Sequence, residues 1–184
     1  MKKLLILGII SGSILFKANG QEKFTLRSQN YIGILEGGSG SYLQFHSVNG
    51  LQYKKWFGGI GVGLDHYYLR SIPLFFSLIR DIPVRKNIFY VSADGGVNFP
   101  WENDANDSWG ENNYSTSYYW SSGFGYKIPI HKKNNLLFHV GYSFKHLKND
   151  YTITFPCLIP PCPESKQEYN YYFRRLSLKA GWMF

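Results

Sequence analysis

Polar and apolar residues alternate with a period of two along most of the chain, and long helical periodicity is missing. Such alternation predicts β-strands with one apolar face. It is clearest in five segments, 58–70, 87–99, 114–129, 135–148 and 175–184. Three weaker segments, 25–35, 41–53 and 72–82, bring the predicted count to about eight strands, with seven or nine left open. Within 41–53, Asn49-Gly50 predicts a bulge or a tight turn.

Alternation alone does not say which face of the strands lies inside the barrel, because a soluble barrel gives the same pattern with the two faces exchanged. Several strands reach the roughly 9–11 residues that cross a bilayer at a tilt. Glycine and charge share one face, which suits the polar interior of a narrow barrel. Aromatic residues at the ends of the apolar stripes resemble interfacial girdles: Trp56, Phe57, Tyr67, Tyr68, Phe99, Trp101, Trp182 and Phe184. We therefore predict an all-β fold, a single antiparallel up-and-down transmembrane β-barrel.

The first twenty residues have the pattern of a secretory signal peptide. Lys2 and Lys3 precede an apolar run that ends at Phe16, and small residues follow at 18–20. The run is shorter than the roughly 20 residues of a spanning helix. We expect residues 1–20 to be cleaved before Gln21 and residues 21–184 to form one barrel domain. The mature chain would then carry 17 bases and 12 acids, a net charge of +5, and as an exported protein it would meet no nucleic acid.

The connections between the strands are expected to alternate between two sides of the membrane. Short turns on the periplasmic side are predicted at Lys54-Lys55, Pro83–Lys86 and Ile130–Asn134. External connections are predicted at Gly37–Gly40, Arg70-Ser71, Pro100–Asn113 and Asn149–Glu168. Each periplasmic turn carries a basic pair, which suggests contact with anionic lipid headgroups worth about 1 kcal/mol per base. The alternative, that turns simply favour solvated charge, stays open.

Seven charged or ionisable side chains share the predicted inner face: Asp65, Asp94, Lys127, His139, Lys145, Arg175 and Lys179. Charges buried without partners are costly, so we expect these groups to pair across the lumen. An eight-stranded interior is just wide enough for side chains to fill it. The sequence therefore predicts a structural polar plug, and a narrow channel for ions or small solutes is the alternative.

The candidate binding chemistry lies in two predicted external loops. Cys157 and Cys162 are the only cysteines, and two thiols in an exported protein predict a disulfide. The segment from Trp101 to Trp109 holds carboxylates and tryptophans that could serve a calcium ion or a sugar, but it lacks the glycine and distant glutamate of a helix-loop-helix calcium site. A solvated turn is expected there, with no metal and no cofactor.

Histidine and serine pairs raise the possibility of a lipid-modifying enzyme. His46 and Ser47 are adjacent on a strand and therefore point to opposite faces. His139 and Ser143 share a face but lie about 13 Å apart along a strand. No acid is obviously placed to orient either histidine, so we expect a protein that is not an enzyme.

The end of the chain, from Arg174 to Phe184, resembles the terminal strand of bacterial outer-membrane barrels, with alternating apolar residues and a final Phe. In that family this ending implies that Phe184 and Trp182 are recognised by the barrel-assembly machinery. Residues 45–50, 61–65 and 73–75 also resemble small members of the barrel superfamily related to the transmembrane domain of outer membrane protein A. The resemblance implies contact with lipid in the outer membrane of a Gram-negative bacterium and no shared catalytic residues. The expected role is structural or a surface-binding one carried by external loops, and a soluble exported ligand-binding barrel is a further alternative.

Overall fold

The computed structural model describes residues 24–38, 40–67, 69–101, 110–131, 134–155, 157 and 163–184. These residues form nine strands: β1 (Thr25–Gly37), β2 (Gly40–Tyr53), β3 (Trp56–His66), β4 (Arg70–Val84), β5 (Asn87–Pro100), β6 (Gly110–Ser115), β7 (Ser117–His131), β8 (Asn134–Thr154) and β9 (Glu164–Met183). Within these ranges, no helix is long and apolar enough to span a membrane. The predicted signal peptide, 1–20, lies outside the described residues.

Eight of the strands form a closed antiparallel ring in the order β1-β2-β3-β4-β5-β7-β8-β9. The ring closes where β1 pairs with β9, from Gln29 opposite Met183 to Glu36 opposite Leu176. Strand β6 pairs with β8 and continues the course of β7 beyond Thr116. The ring confirms the prediction of a barrel of about eight strands.

The strands are staggered around the ring. The row of paired residues that starts at Met183 returns to the same strand, β9, at Phe173, ten residues away (183 − 173). This row runs through Gln29, Val48, Gly61, Phe75, Gly96, Tyr119 and Lys145. Such a stagger requires tilted strands and leaves the ring without a free edge. A closed ring is one of the two structures that satisfy every backbone group in lipid.

The outer surface of the ring is apolar, whereas the inner surface is polar. The exposed side chains include Ile60, Val62, Leu64, Leu74, Phe76, Phe138, Val140, Leu176 and Leu178. In water such a surface would far exceed the few hundred Å² of apolar patch that soluble proteins expose. The outward and inward assignments are therefore confirmed, and the soluble barrel is wrong.

The predicted aromatic girdle needs one correction, because Phe57 and Tyr67 point into the lumen and are only 0% and 1% exposed. Trp56 points outward, so its strand neighbour Phe57 must point inward. Exposed aromatic residues do mark the periplasmic end: Tyr53, Trp56, Trp182 and Phe184. Phe99 and Trp101 mark the external end, and Tyr68 lies outside the described residues.

Several predicted connections are shorter than the sequence suggested. The turn predicted at 83–86 comprises only Arg85 and Lys86, whereas the predicted turn Lys54-Lys55 is confirmed. The first residues of these two turns, Lys54 and Arg85, adopt positive φ values of 53° and 55°. Strand β4 contains the residues 70–71 and 83–84 that were expected in connections, and β7 extends to His131. Asn49-Gly50 forms neither a bulge nor a turn, because both residues continue the ladder opposite Ile60 and Gly59.

The largest correction concerns the predicted external loop 149–168. Strand β8 continues to Thr154 and β9 begins at Glu164, so most of this segment is strand. We call β6 together with 146–154 of β8 and 164–172 of β9 the external extension. We expect both of its faces to lie outside the lipid, where neither has to be uniformly apolar, and the alternation that marks the other strands fades there. A backbone hydrogen bond of 3.0 Å from Phe155 to Pro163 closes the base of the tip.

Candidate functional site

A buried carboxylate, Asp65, is the centre of the polar network in the upper lumen. Its Oδ1 atom lies 2.7 Å from His46 Nε2, and its Oδ2 atom accepts a hydrogen bond of 3.3 Å from Lys145 Nζ. The three side chains are almost fully buried. Asp65 therefore orients His46, and the expectation that no acid does so is wrong. The two residues are 19 positions apart in sequence, and only the β2–β3 register makes them diagonal neighbours.

Hydroxyl and aromatic groups complete this network below the external mouth. Lys145 also donates a 2.8 Å hydrogen bond to Ser71 Oγ, and its ammonium lies 4.2 Å from the centroid of the Tyr67 ring. The Tyr67 hydroxyl is hydrogen-bonded to Ser143. Arg175 donates to the backbone carbonyls of Gly40 and Tyr67, at 2.6 and 2.7 Å. The upper lumen is thus cross-linked between strands on opposite sides of the ring.

A second ion pair lies nearer the periplasmic end. Lys127 Nζ lies 2.7 Å from Asp81 Oδ1 and 5.4 Å from the centroid of the Tyr90 ring. Asp81 was not singled out from the sequence, although it lies within the predicted strand 72–82 and the alternation places it on the inner side. Between the two ion pairs, Asp94 accepts hydrogen bonds from hydroxyl groups, from Ser77 at 2.6 Å and Ser121 at 3.3 Å.

All seven ionisable residues predicted for the inner face lie on the lumen side, but they do not form one cluster. Among these seven, an ion pair joins Asp65 and Lys145. His139 stacks on Tyr90 with a centroid distance of 5.9 Å, and Lys179 lies 5.7 Å from the centroid of Tyr31. The lumen charges thus lie in separate layers, and several of their contacts are with groups that the sequence did not single out.

Side chains fill the lumen closely. Of the enclosed spaces, one near His46 and His139 and another near Tyr67 and Lys145 measure about 10 Å³ each. Such a volume holds about one water molecule. The largest fully buried side chains include Phe57, Tyr67, Tyr90, Lys127 and Lys145.

The external extension carries an aromatic face on its lumen side, directly above the mouth. Tyr169 and Tyr171 of the extension stack along β9 with each other and with Phe173, the next residue on the same side, at successive centroid distances of 6.3 and 6.2 Å. Tyr169 is 41% exposed and Tyr171 is 37% exposed. Amide groups accompany the rings, since Asn149 donates to Asn112 Oδ1 at 2.7 Å and the Tyr169 hydroxyl donates to Gln167 Oε1 at 2.5 Å. We call this surface the aromatic face.

The opposite side of the extension carries a group of charged side chains and a separate stack of aromatic rings. Lys148 Nζ lies 3.0 Å from Glu168 and 3.6 Å from Asp150. The hydrogen bond with Glu168 raises the pKa of Lys148 and lowers the pKa of Glu168. The His146 ring lies between Tyr118 and Tyr172, at centroid distances of 5.0 and 4.9 Å.

The predicted external sites fall largely outside the described part of the chain. Cys157 is described and Cys162 is not, so the disulfide stays a prediction. Residues 102–109 of the candidate calcium or sugar segment are likewise outside it. Among the residues that are described, no group of three or more His, Cys, Asp or Glu side chains could hold a metal ion. Trp182 and Phe184 are exposed at the periplasmic end of β9, and their recognition by the assembly machinery stays a prediction.

Comparison with known proteins shows the fold of the chain. No family model matches the chain, and no curated protein matches it. The crystal structure of Neisserial surface protein A matches 87% of this chain and 95% of its own, with 14% identity and a TM-score of 0.51. The solid-state NMR structure of outer membrane protein AlkL in DMPC lipid bilayers matches 91% and 93%, with 17% identity and a TM-score of 0.44.

The chain is an integral membrane β-barrel with the fold of Gram-negative outer-membrane proteins. This fold agrees with the predicted location in the outer membrane and with the resemblance of the sequence to bacterial outer-membrane barrels.

Proposed function

We propose that this protein is a non-conducting, non-enzymatic outer-membrane barrel that binds a ligand at the cell surface through its external extension. The observation that carries the proposal is the aromatic face. Exposed tyrosines and amide groups lie together on the sheet of the external extension. Binding sites commonly combine aromatic walls with a few placed polar groups.

The packing of the lumen supports the non-conducting part of this proposal. A continuous pathway would have to pass the layers held by Asp65 and by the Lys127–Asp81 ion pair. The enclosed spaces beside the Asp65 network have room for about one water molecule each. The enclosed lumen space beside His46 holds about one water molecule, which argues against the binding of an acyl chain there.

We expect the purified protein to give no defined conductance steps in planar bilayers. A conducting porin incorporated into the same membranes serves as the positive control. Uniform steps whose size scales with salt concentration would contradict the proposal and would favour the narrow channel.

The aromatic face suits a ligand that offers flat apolar surfaces together with hydroxyl groups. Tyrosine rings provide large, rigid contact areas and polar tips. The Asn112–Asn149 pair and Gln167 supply hydrogen-bonding groups beside these rings. Oligosaccharides combine both properties, so we propose them as the ligand class.

We expect the protein in lipid nanodiscs to bind members of a purified oligosaccharide array and to lose at least about tenfold in affinity when Tyr169 and Tyr171 are replaced by Ala, which corresponds to at least about 1.4 kcal/mol. Tyr172→Ala is the matched control, because Tyr172 lies on the same strand but on the opposite side. Array binding that is absent, or that falls equally in the control, would contradict the proposal.

A further inference from the structure

A single cation interrupts the apolar outward face of β4. Arg80 is exposed on this face, and its outward neighbours on the adjoining strands are Trp56 on β3 and Val91 on β5. A charged side chain in such surroundings is costly unless it finds a partner. The other outward positions in this part of β4 are all apolar: Ile72, Leu74, Phe76, Leu78, Ile82 and Val84.

Arg80 has no anionic partner within the described part of the chain. Its guanidinium carbon lies 5.1 Å from the centroid of the Trp56 ring, which is a cation–π contact. No described carboxylate forms an ion pair with Arg80. The next residue, Asp81, points inward and pairs with Lys127. The chain therefore leaves the positive charge of Arg80 uncompensated on the outer surface.

Arg80 lies at the periplasmic edge of this surface. It pairs directly with Trp56, which pairs in turn with Tyr53, and both aromatic residues mark the edge. The stagger of ten residues around eight strands shifts the level by little more than one residue from each strand to the next. Exposed Trp and Tyr residues lie at the level of the lipid headgroups. The long Arg80 side chain is thus within reach of the headgroup region.

Two more basic residues lie in the turn between β2 and β3, next to Arg80. The backbone N–H group of Asp81 donates a hydrogen bond of 2.7 Å to the carbonyl oxygen of Lys55, which holds this turn against β4. Lys54 Nζ lies 5.3 Å from the centroid of the Tyr53 ring. Three basic residues and two aromatic rings therefore lie together at one point of the periplasmic edge.

We propose that Arg80, Trp56 and the turn Lys54-Lys55 form a binding site for one anionic phospholipid of the periplasmic leaflet. The Trp56 ring covers a flat face of the guanidinium and leaves its N–H edge free. Such an edge binds two oxygens of one phosphate group at once. The two lysines favour a headgroup with a net negative charge. This defined site differs from a general attraction of the basic turns to the membrane surface.

The surface around Arg80 suits a phosphate group that carries acyl chains. Gly58 pairs with Leu78 and has no side chain, so the outer surface is open on the hydrocarbon side of the guanidinium. Leu78, Ile82 and Val91 are between 42% and 44% exposed. Acyl chains pack along these apolar groups while the phosphate is bound at Arg80. A soluble phosphate would gain nothing from them.

Native mass spectrometry of the detergent-solubilised protein tests this site, because it counts the lipids that stay bound. With equal amounts of dioleoylphosphatidylglycerol and dioleoylphosphatidylcholine, we expect one phosphatidylglycerol to be retained preferentially. Arg80→Gln should weaken this preference about fivefold or more, the factor that corresponds to about 1 kcal/mol for one base near an anionic surface. Arg80→Lys should keep part of it, because an ammonium retains the charge but not the paired N–H groups. Boiled and unboiled samples in SDS should show that both variants fold.

Arg85→Gln is the matched control, because Arg85 is also an exposed arginine on the periplasmic side but lies in the turn between β4 and β5. We expect this variant to retain the lipid like the wild type. Equal retention of the two lipids by the wild type would overturn the proposal. So would equal losses in Arg80→Gln and Arg85→Gln, which would indicate diffuse attraction to anionic lipid.

A calorimetric titration of the wild type with inorganic phosphate separates a lipid site from a site for free phosphate. We expect no saturable binding, because the acyl chains supply the contacts with the apolar surface around Arg80. Saturable binding of phosphate that Arg80→Gln abolishes would assign the site to a soluble anion and would overturn the assignment to a lipid.

Discussion

Replacing Asp65 by Ala should lower the free energy of unfolding by about 3–5 kcal/mol, the range for breaking a buried ion pair from one side. The carboxylate is the acceptor for both His46 and Lys145, at 2.7 and 3.3 Å. Its removal leaves the Lys145 ammonium buried, with Ser71 and the Tyr67 ring as its remaining neighbours. The Ser71 hydroxyl and the Tyr67 ring offset only part of the cost of the buried charge.

Urea unfolding of the protein in lipid vesicles, followed by tryptophan fluorescence, measures this effect. Asp94→Ala is the control, because Asp94 is only half-buried and accepts hydrogen bonds from two hydroxyl groups, so its loss should cost about 1–2 kcal/mol. The double variant Asp65→Ala with Lys145→Met should lose less than the sum of the two single variants, because it leaves no unpaired cation. Equal losses for Asp65→Ala and Asp94→Ala would contradict the assignment of Asp65 as the centre of the network.

The sequence predicts the barrel well because lipid imposes a strict rule on each strand. Outward positions must be apolar and inward positions tolerate glycine and charge, so the period of two is visible wherever a strand crosses the membrane. The outward side of 58–66, with Ile60, Val62 and Leu64 exposed, follows this rule. The alternation is required only within the membrane. The sequence of the external extension lacks it, and for this reason most of the extension was predicted to be a loop.

The lumen contacts were less predictable, for a different reason. Alternation shows that Asp65 and Lys145 face inward, but the pairing of residues 80 positions apart depends on the register and stagger of the whole ring. His46 was weighed only together with its sequence neighbour Ser47, and Asp81 was not singled out. A diagonal search between adjacent predicted strands would have found the His46–Asp65 contact, since Asp65 lies two residues beyond the direct partner of His46.

Close packing of the lumen leads to a second prediction, in which the same substitution has opposite effects at two glycines. Gly125 lies on β7 and faces the lumen, and a Cβ atom there would collide with the carbonyl oxygen of Phe138 and with the Tyr90 ring. The carbonyl belongs to the ladder between β7 and β8, and the Tyr90 hydroxyl donates to that same carbonyl at 3.3 Å. Neither group can move without breaking contacts of its own.

Gly125→Ala should therefore destabilise the barrel by about 1–3 kcal/mol, the usual cost of overpacking. Gly95→Ala is the control, because Gly95 faces outward and a Cβ atom there would have no neighbour within 4 Å. Alanine in a strand is normally about 0.5–1 kcal/mol more favourable than glycine, so the control should be neutral or stabilised. Urea midpoints and the fraction of unboiled protein that migrates as the folded form report both effects. A gain in stability at both positions would mean that the lumen has free space beside Tyr90, and the narrow channel would then become the better account of this barrel.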